Sequence, residues 1–263
     1  RGNKMETRGA KVLITGSNRG IGKAVAAALA ENGANLYLAN RRPDPNQIEE
    51  LKKLGAQSVT NIQVDLLDRG QIEKLVRDLQ SEEIDILFNN AGLLTGGLIE
   101  EQSIDEIYNS NQVNITALMH LTHGFVGGMV QRGRGKIINH ASISAYMHMP
   151  CASVYAASKA AVVAFDNCIR PELKGTGVTV LTLVTPGVDT DLSRDIPNRY
   201  GKNLNLKLFK KGMPPEQYAK RVIEAIEQDR DVLEPKGMAS LELKTAKYAL
   251  GVFQRVVLAN FRR

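Results

Sequence analysis

The chain has 263 residues, of which 43% are hydrophobic and 24% are charged, a composition typical of a globular protein and unlike that of a disordered or fibrous one. No apolar run is long enough to span a bilayer, and no signal-peptide core stands near the amino terminus, so we expect a cytoplasmic protein. Cys151 and Cys168 form no CxxC pair and have no histidine cluster nearby, which argues against a disulfide framework and against a metal site. We expect residues 1–4 to be a remnant of cloning.

Short apolar runs alternate with helical patterns along the whole chain. The first predicted strand is 11–16 and the first predicted helix is 22–33, and the last helix and strand are 214–229 and 231–235. The other predicted strands are 35–40, 59–66, 84–92, 135–142 and 178–187, and the other predicted helices are 46–55, about 71–82, about 104–131 and one through Tyr155 to about Leu173. Most strands are apolar on both faces, which is typical of a parallel sheet buried between two helical layers. The sequence therefore predicts a single doubly wound α/β domain (a Rossmann fold with seven parallel strands) over residues 1–263, with ligands at the carboxyl ends of the strands.

A glycine-rich segment, TGSNRGIG (15–22), lies between the first strand and the first helix. Gly16 permits a tight turn, Gly20 lets the backbone approach a pyrophosphate, and Gly22 lets the helix pack closely on the strand. The amino terminus of the helix offers free N–H groups and a positive dipole end to phosphates. In this position, the segment predicts a dinucleotide site.

The second predicted strand ends in LANRR, with Asn40 where an NAD-binding site typically has an acidic residue for the ribose 2′-hydroxyl. Arg41 and Arg42 follow it, and Arg19 lies in the glycine loop. Because charge-assisted bonds from guanidinium groups to phosphate are strong, this pattern favours a 2′-phosphate and hence NADP(H) over NAD(H).

Tyr155 and Lys159 are four residues apart in VYAASKAAVVAF, a run without Gly or Pro, so a helix places them one turn apart on the same face. A carbonyl that accepts a hydride needs a proton on its oxygen, which a tyrosine hydroxyl can supply. A nearby ammonium group favours the phenolate, so we expect Lys159 to lower the pKa of Tyr155. An isolated pair of this kind is more often an exposed amphipathic pair, and the glycine loop is what favours a catalytic site.

From about residue 10 to residue 235 the chain resembles the short-chain dehydrogenase/reductase family. The motifs that carry this resemblance, in order, are TGSNRGIG (15–22), Asp65 in VDLLD, NNAG (89–92), Asn114 in QVNI, Ser142 in INHASIS, YAASK (155–159) and TPG (185–187). The resemblance implies hydride transfer that interconverts a carbonyl compound and a secondary alcohol, with NADP(H) as cofactor. A catalytically idle NADP(H)-binding sensor is the alternative.

The resemblance also implies a role for each residue of the site. Tyr155 would be the acid–base, with Lys159 bonding the nicotinamide ribose and Ser142 holding the substrate oxygen. Ser144 competes for that last role. Asn114 would lie in a locally opened helix and hold a water shared with Lys159. Asp65 would bond the adenine, Asn89 and the backbone of Ala91 and Gly92 would flank the adenosine, and Thr190 would reach the nicotinamide carboxamide. The other residues predicted to bind the cofactor are Gly16, Ser17, Asn18, Arg19, Gly20, Ile21, Gly22, Asn40, Arg41, Arg42, Leu66, Pro186, Gly187 and Val188.

Two positions depart from the family pattern. PGVDT is one residue shorter than usual before Thr190, so the role of that threonine is the least secure. Pro171 lies in the predicted helix and lacks a backbone donor, so we expect a kink or an early helix end there. His140 is expected to fill the strand or pack beneath the loop and is given no catalytic role.

The sequence indicates the cofactor more clearly than the substrate. Candidate lining residues are apolar and favour a lipophilic ketone or alcohol, ketoacyl or steroid-like compounds included: Leu93, Leu94, Met147, Met149 and Val188. Residues 191–213 form a long irregular segment that predicts a substrate lid. Its Lys207, Lys210 and Lys211 could contact an acidic substrate, although a solvated face is the simpler reading.

The net charge of +6 is concentrated in the tail, since 236–263 contains six basic residues against one acidic residue. The nearly neutral body predicts no nucleic-acid partner. In the tail, 240–263, one helical stripe holds Leu250, Phe253, Val257 and Phe261. This amphipathic pattern predicts either packing in a homodimer or homotetramer or loose membrane-surface contact through residues 241–263.

Overall fold

The computed structural model describes residues 5–205 and 212–263, and in them seven strands form one parallel sheet. The sheet order is β3–β2–β1–β4–β5–β6–β7. The strands are β1 (Lys11–Thr15), β2 (Asn35–Asn40), β3 (Ser58–Gln63), β4 (Ile86–Asn89), β5 (Gly135–His140), β6 (Val178–Leu183) and β7 (Val232–Leu233). Strands β2 and β3 follow β1 on one side and strands β4 to β7 follow it on the other, so the predicted doubly wound parallel sheet is confirmed.

Helices cover both faces of this sheet. They are α1 (Gly20–Glu31), α2 (Asn46–Leu54), α3 (Arg69–Leu79), α4 (Ile104–Asn111), α5 (Ala117–Arg132), α6 (Ser153–Glu172), α7 (Asp191–Arg194), α8 (Ile196–Tyr200), α9 (Pro215–Glu227), α10 (Met238–Tyr248) and α11 (Leu250–Leu258). Alternate residues of β1 enter opposite layers, because Val12 and Ile14 pack with α1 and α9 whereas Leu13 packs with α3 and α5. Each layer buries a continuous apolar core.

Several strands end earlier than their apolar runs. β3 stops at Gln63, β6 at Leu183, and β7 has only two residues. The residues that follow turn out of the sheet and become loops at its carboxyl edge. The residues that follow β3 and β6, Val64 and Pro186 among them, therefore belong to the walls of a cleft.

Two helices show the local features that single residues predict. Residues 112–116, around Asn114, form a π-helical turn between α4 and α5, which is the expected local opening. Helix α6 ends at Glu172, one residue after Pro171. The missing backbone donor of Pro171 therefore falls where the helix stops.

The tail folds as α10 and α11, and most of the stripe predicted for oligomer packing or membrane contact is turned inward. Phe253 and Val257 are buried against Met147 and Val184 of the body, and Phe261 packs beside Tyr200. These residues cover the protein's own apolar surface. Of the predicted lid, 191–205 and 212–213 are described, and Lys207, Lys210 and Lys211 lie outside the described residues.

Candidate active site

A cleft of about 580 Å³ opens at the carboxyl ends of the strands. Most of the site residues expected from the sequence line it: Gly16, Asn18, Arg19, Gly20, Ile21, Gly22, Asn40, Arg41, Arg42, Asp65, Leu66, Ala91, Gly92, Ser142, Tyr155, Lys159, Pro186, Gly187, Val188 and Thr190. Three others, Ser17, Asn89 and Asn114, lie behind its wall. The cleft spans from the end of β2 to the amino-terminal end of α6.

The glycine loop is tightly enclosed at the start of α1. Gly16 and Gly20 have φ of +68° and +54°, which favours glycine at both positions. A Cβ on Gly22 would lie 2.2 Å from the Gly16 carbonyl oxygen, and one on Gly20 would lie 3.1 Å from the Thr190 methyl group. The loop therefore exposes its backbone to the cleft with no side chain in the way.

Side chains of the loop and of the β2 end hold each other in place. Asn40 accepts a hydrogen bond from the Ser17 N–H and donates one to the Ser17 hydroxyl, both at 2.8 Å. Ser17 is thereby buried under the loop, and the Asn40 amide is engaged within the protein. The Asn18 amide donates to the Arg42 carbonyl, while its Oδ1 is buried with no partner among the described residues. These bonds bring Arg41 and Arg42 to the same end of the cleft as Arg19.

The two asparagines of NNAG have different places. Asn89, expected beside the adenosine, lies in the core and donates to Asn139 and Thr122, because its position in β4 points its side chain into the layer of α5. Asn90 lines the cleft, and its amide donates to the carbonyls of Thr15 and Gly16. Asn90 is thus the asparagine that lines the cleft, whereas the sequence predicted Asn89.

Tyr155 and Ser142 both line the middle of the cleft. Ser142 follows β5, and its hydroxyl accepts from the Ser144 N–H at 3.1 Å and is hydrogen-bonded to Tyr155. Burial raises the pKa of Tyr155 to about 12, and the bond to Ser142 opposes that rise. The phenol is therefore protonated at neutral pH. The expected lowering of this pKa by Lys159 is not observed, since burial raises the pKa and only Ser142 opposes the rise.

Lys159 is a buried cation with one backbone partner. Its Nζ donates to the His140 carbonyl at 2.7 Å and lies 5.7 Å from the centre of the Tyr155 ring, and only 3% of the residue is exposed. Burial lowers the pKa of Lys159 to about 8, so the ammonium form still prevails at pH 7.

His140 also lines the cleft, although the sequence reasoning gave it no role. Burial and the Lys159 ammonium lower its pKa to about 3, so the ring is neutral. Its Nδ1 lies 3.0 Å from Asn90 Oδ1, which can only accept, so Nδ1 carries the proton. A neutral ring cannot donate a proton as an imidazolium acid at pH 7.

The Asn114 side chain, behind the wall of the cleft, is hydrogen-bonded to the backbone of Leu93. Its Oδ1 accepts from the Leu93 N–H at 2.8 Å, and its Nδ2 donates to the Leu93 carbonyl at 2.9 Å. A Cβ on Gly92 would lie 3.3 Å from Asn114 Oδ1 and 3.6 Å from Lys159 Nζ. Asn114 and Lys159 therefore approach the same space beside Gly92 and are not bonded to each other.

The TPG loop forms the wall opposite the glycine loop. The Thr185 hydroxyl is hydrogen-bonded at 2.8 Å to the fully buried Tyr218 of α9, and the Thr185 carbonyl accepts from Ile143 N–H. Thr190 caps α7 through Ser193, and its methyl group packs against Gly20. The shortened PGVDT segment still brings Thr190 to the cleft.

The far end of the cleft is apolar. Leu93, Leu94, Met147 and Met149 line it, as their apolar character suggested, together with Ile143, Leu192 and Ile196. Tyr200 of the predicted lid also lies here, and its ring packs so closely on Gly96 that a Cβ there would meet Cε1 at 1.8 Å. No local pattern could have identified Tyr200, because its contact is with a residue more than one hundred positions away.

The described residues contain no group of three His, Cys, Asp or Glu side chains placed to hold a metal ion. Cys151 and Cys168 are both free thiols. In the described part of the chain, no helix has both the length and the apolar character required to cross a bilayer.

Comparison with known proteins relates this geometry to one family. The family model for short chain dehydrogenase matches residues 10–201. A ketoacyl reductase of Nostoc sp., HetN, is 33% identical over 195 residues, covering 73% of this chain and 67% of its own length. The bovine dehydrogenase/reductase SDR family member 7B is 29% identical over 271 residues, covering 97% of this chain and 82% of its own.

A solved structure gives the same result. A short chain dehydrogenase from Burkholderia cenocepacia in complex with NADP superposes with a TM-score of 0.78 at 25% identity, covering 96% of this chain and 99% of that one. The overall fold is thus shared with a protein of this family. The chain belongs to the short-chain dehydrogenase/reductase family and is an oxidoreductase with the Rossmann-type fold.

Proposed function

We propose that the protein is an NADP(H)-dependent oxidoreductase that interconverts a lipophilic carbonyl compound and its secondary alcohol. The observation that carries the proposal is one continuous cleft with three arginines at one end, the Ser142–Tyr155–Lys159 group in the middle and apolar residues at the other end. Each part matches one part of the chemistry: a phosphorylated cofactor, a proton source and an apolar substrate.

The residues present fit a dinucleotide. The glycine loop offers backbone to a pyrophosphate without a Cβ in the way, and a helix amino terminus favours negative charge. The buried Oδ1 of Asn18 has no partner among the described residues, which supports a bound hydrogen-bond donor beside it. We assign the phosphates to the glycine loop, the adenine to Asp65 and Leu66, and the ribose of the nicotinamide to Lys159.

The arginines support NADP(H) as the cofactor. Arg19, Arg41 and Arg42 line one end of the cleft, and the last residue of β2 is Asn40, so no carboxylate stands there to repel a 2′-phosphate. Asn40 is already bonded to Ser17, so it does not compete as a partner of the ribose hydroxyl. The NADP bound to the Burkholderia cenocepacia relative is consistent with this choice.

When bound, the reduced cofactor supplies the hydride. Ser142 orients the substrate carbonyl beside the Tyr155 hydroxyl, and Tyr155, protonated at neutral pH, donates its proton to the oxygen that becomes the alcohol. The Lys159 ammonium stabilises the phenolate that remains. Asn114 and Lys159 both approach the space beside Gly92, where a water could return the proton to Tyr155.

The test is a screen of purified protein for oxidation of NADPH with ketoacyl thioesters, steroids, quinones and simple ketones. Turnover with at least one apolar carbonyl compound, faster with NADPH than with NADH, would support the proposal. Comparable efficiency with both cofactors would contradict the NADP(H) assignment.

A catalytically idle NADP(H) sensor is the second candidate, since it needs the glycine loop alone. The retained Ser142, Tyr155 and Lys159 favour the enzyme, because a sensor has no use for a proton donor bonded to a serine. Tight NADPH binding without turnover on any compound of the screen would favour the sensor.

A further inference from the structure

The two carboxyl-terminal helices present an apolar surface to solvent. Leu241 and Tyr248 of α10 and Val252, Val256 and Leu258 of α11 are 52% to 84% exposed. These five residues are called the outer face below. A surface helix of a globular protein normally turns charged residues toward water, so this composition requires an explanation.

Helix α11 is apolar on both sides. Phe253 and Val257 are buried against the body, while Val252 and Leu258 face outward. Its only polar residues are Gln254 and Arg255. A helix that is apolar all round is normally covered all round, yet the described part of the chain covers one side only.

Basic side chains accompany the outer face. Lys244 is three and four residues from Leu241 and Tyr248, which places it between them on the same side of α10. Arg255 is exposed on α11, three residues after Val252 and three before Leu258, which makes it a neighbour of both on the helix surface. Neither has an ion pair within residues 5–205 and 212–263. Both can lay their stems along apolar surface and extend their charges beyond it.

Two other basic residues of the tail have partners on the body of the protein. Lys247 Nζ lies 2.6 Å from Glu234 and 4.0 Å from the centre of the Tyr146 ring. Arg263 is paired with Glu100. The helices are therefore attached to the body, and the outer face is a defined surface.

We propose that the outer face docks on the surface of a membrane that contains anionic lipid. Apolar residues with a tyrosine and interspersed Lys and Arg form the pattern of a helix that lies in the bilayer interface. A second copy of the chain is the weaker occupant, because a two-fold contact pairs the outer face with itself and offers Lys244 and Arg255 no acidic residue of that face. Anionic headgroups neutralise the same charges.

The outer face lies directly behind the substrate end of the cleft. Met147 and Met149 line the cleft on one side and belong, on the other, to the cluster that holds Phe253 and Val257. One helix layer, about 10 Å thick, therefore separates cleft and membrane. We infer that an apolar substrate reaches the cleft from the lipid phase, a part of the inference that rests on the proposed function, whereas docking itself does not.

Flotation of the full chain with vesicles of phosphatidylcholine, alone or mixed with phosphatidylglycerol, tests docking. We expect binding to the mixed vesicles that weakens as salt is raised. Because each Lys or Arg near an anionic surface strengthens binding by about fivefold, replacing both Lys244 and Arg255 by Glu should weaken it by at least about 25-fold. Val252→Glu, which places a charge in the apolar layer, should weaken it by about tenfold or more.

Matched controls lie on α2, at the opposite edge of the sheet. Leu54→Glu and the double variant Lys52→Glu with Lys53→Glu make the corresponding changes at exposed positions and should bind vesicles like the wild type. Circular dichroism verifies that every variant is folded. The docking proposal and the proposed function can fail separately, because absence of turnover in the substrate screen would leave vesicle binding unchanged.

Three results would overturn the docking proposal. The first is no binding of the wild type to mixed vesicles, and the second is equal binding by Val252→Glu and Leu54→Glu. The third is a solution mass, measured by light scattering, that falls by half in Val252→Glu alone, which would assign the outer face to a second copy.

Discussion

Replacement of Lys159 by methionine should stabilise the cofactor-free protein at pH 7 while it damages the active site. Burial lowers the pKa of Lys159 from 10.5 to about 8, which means that the fold holds the ammonium at a cost of roughly 3 kcal/mol. The variant also loses the hydrogen bond to the His140 carbonyl, worth about 1 kcal/mol. Methionine fills a similar volume, so the net gain in the free energy of unfolding should be about 2 kcal/mol.

The stability that the methionine variant gains over the wild type should decrease as the pH rises. Between about 8 and 10.5 the unfolded chain holds a proton on Lys159 that the folded chain has released, so the stability of the wild type rises with pH through this window. The variant lacks that contribution. Its advantage should therefore be full below pH 8 and should be gone near pH 10.5, where only the lost hydrogen bond remains.

Urea unfolding of both proteins from pH 7 to pH 10.5, without cofactor, measures this difference. His140 stays neutral throughout that range and does not contribute, and groups common to both proteins cancel in the comparison. A less stable variant at pH 7, or a difference that does not change with pH, would refute the account of Lys159 as a buried cation held at a cost to the fold.

Three further substitutions test the rest of the site and its surroundings. Replacing Arg41 and Arg42 by Ala should weaken NADPH binding by about tenfold or more per lost charged contact and leave NADH binding nearly unchanged, as measured by fluorescence titration; equal losses for both cofactors would contradict the 2′-phosphate assignment. Gly22→Ala should abolish NADPH binding while circular dichroism stays native, because its Cβ would lie 2.2 Å from the Gly16 carbonyl; retained binding would show that the loop can move aside. Phe253→Ala should lower the free energy of unfolding by about 3–5 kcal/mol in urea, and a loss under 1 kcal/mol (the order of an exposed site) would mean that α11 does not pack on the body.

The sheet, its order and the position of the cleft follow from features that the sequence carries locally. β1 ends where Gly16 begins the turn, and the apolar strands require a helical layer on each face. Tyr155 and Lys159 come to the cleft because one helix carries both, and Asn114 marks the π-helical turn because asparagine is a poor residue for a helix interior.

Features that depend on distant contacts could not be predicted in this way. Asn89 and Asn90 are adjacent and chemically identical, and only the direction of β4 decides which one faces the cleft. Tyr200 enters the substrate end because Gly96 leaves room for its ring.

The tail shows the same limit. Phe253 and Val257 form an amphipathic stripe in the sequence, but periodicity does not reveal whether such a stripe faces a partner or the protein's own body. The residues left outside, Val252 and Val256 among them, are apolar too.

The central claim is that Tyr155 donates the proton in an NADP(H)-dependent reaction, and Tyr155→Phe tests it most directly. The change removes one hydroxyl and keeps the ring, so the dissociation constant for NADPH should stay close to that of the wild type. Turnover with the substrate found in the screen should fall by about 10²–10⁴-fold, the usual contribution of a general acid. Turnover at the wild-type rate with NADPH still bound would contradict the account.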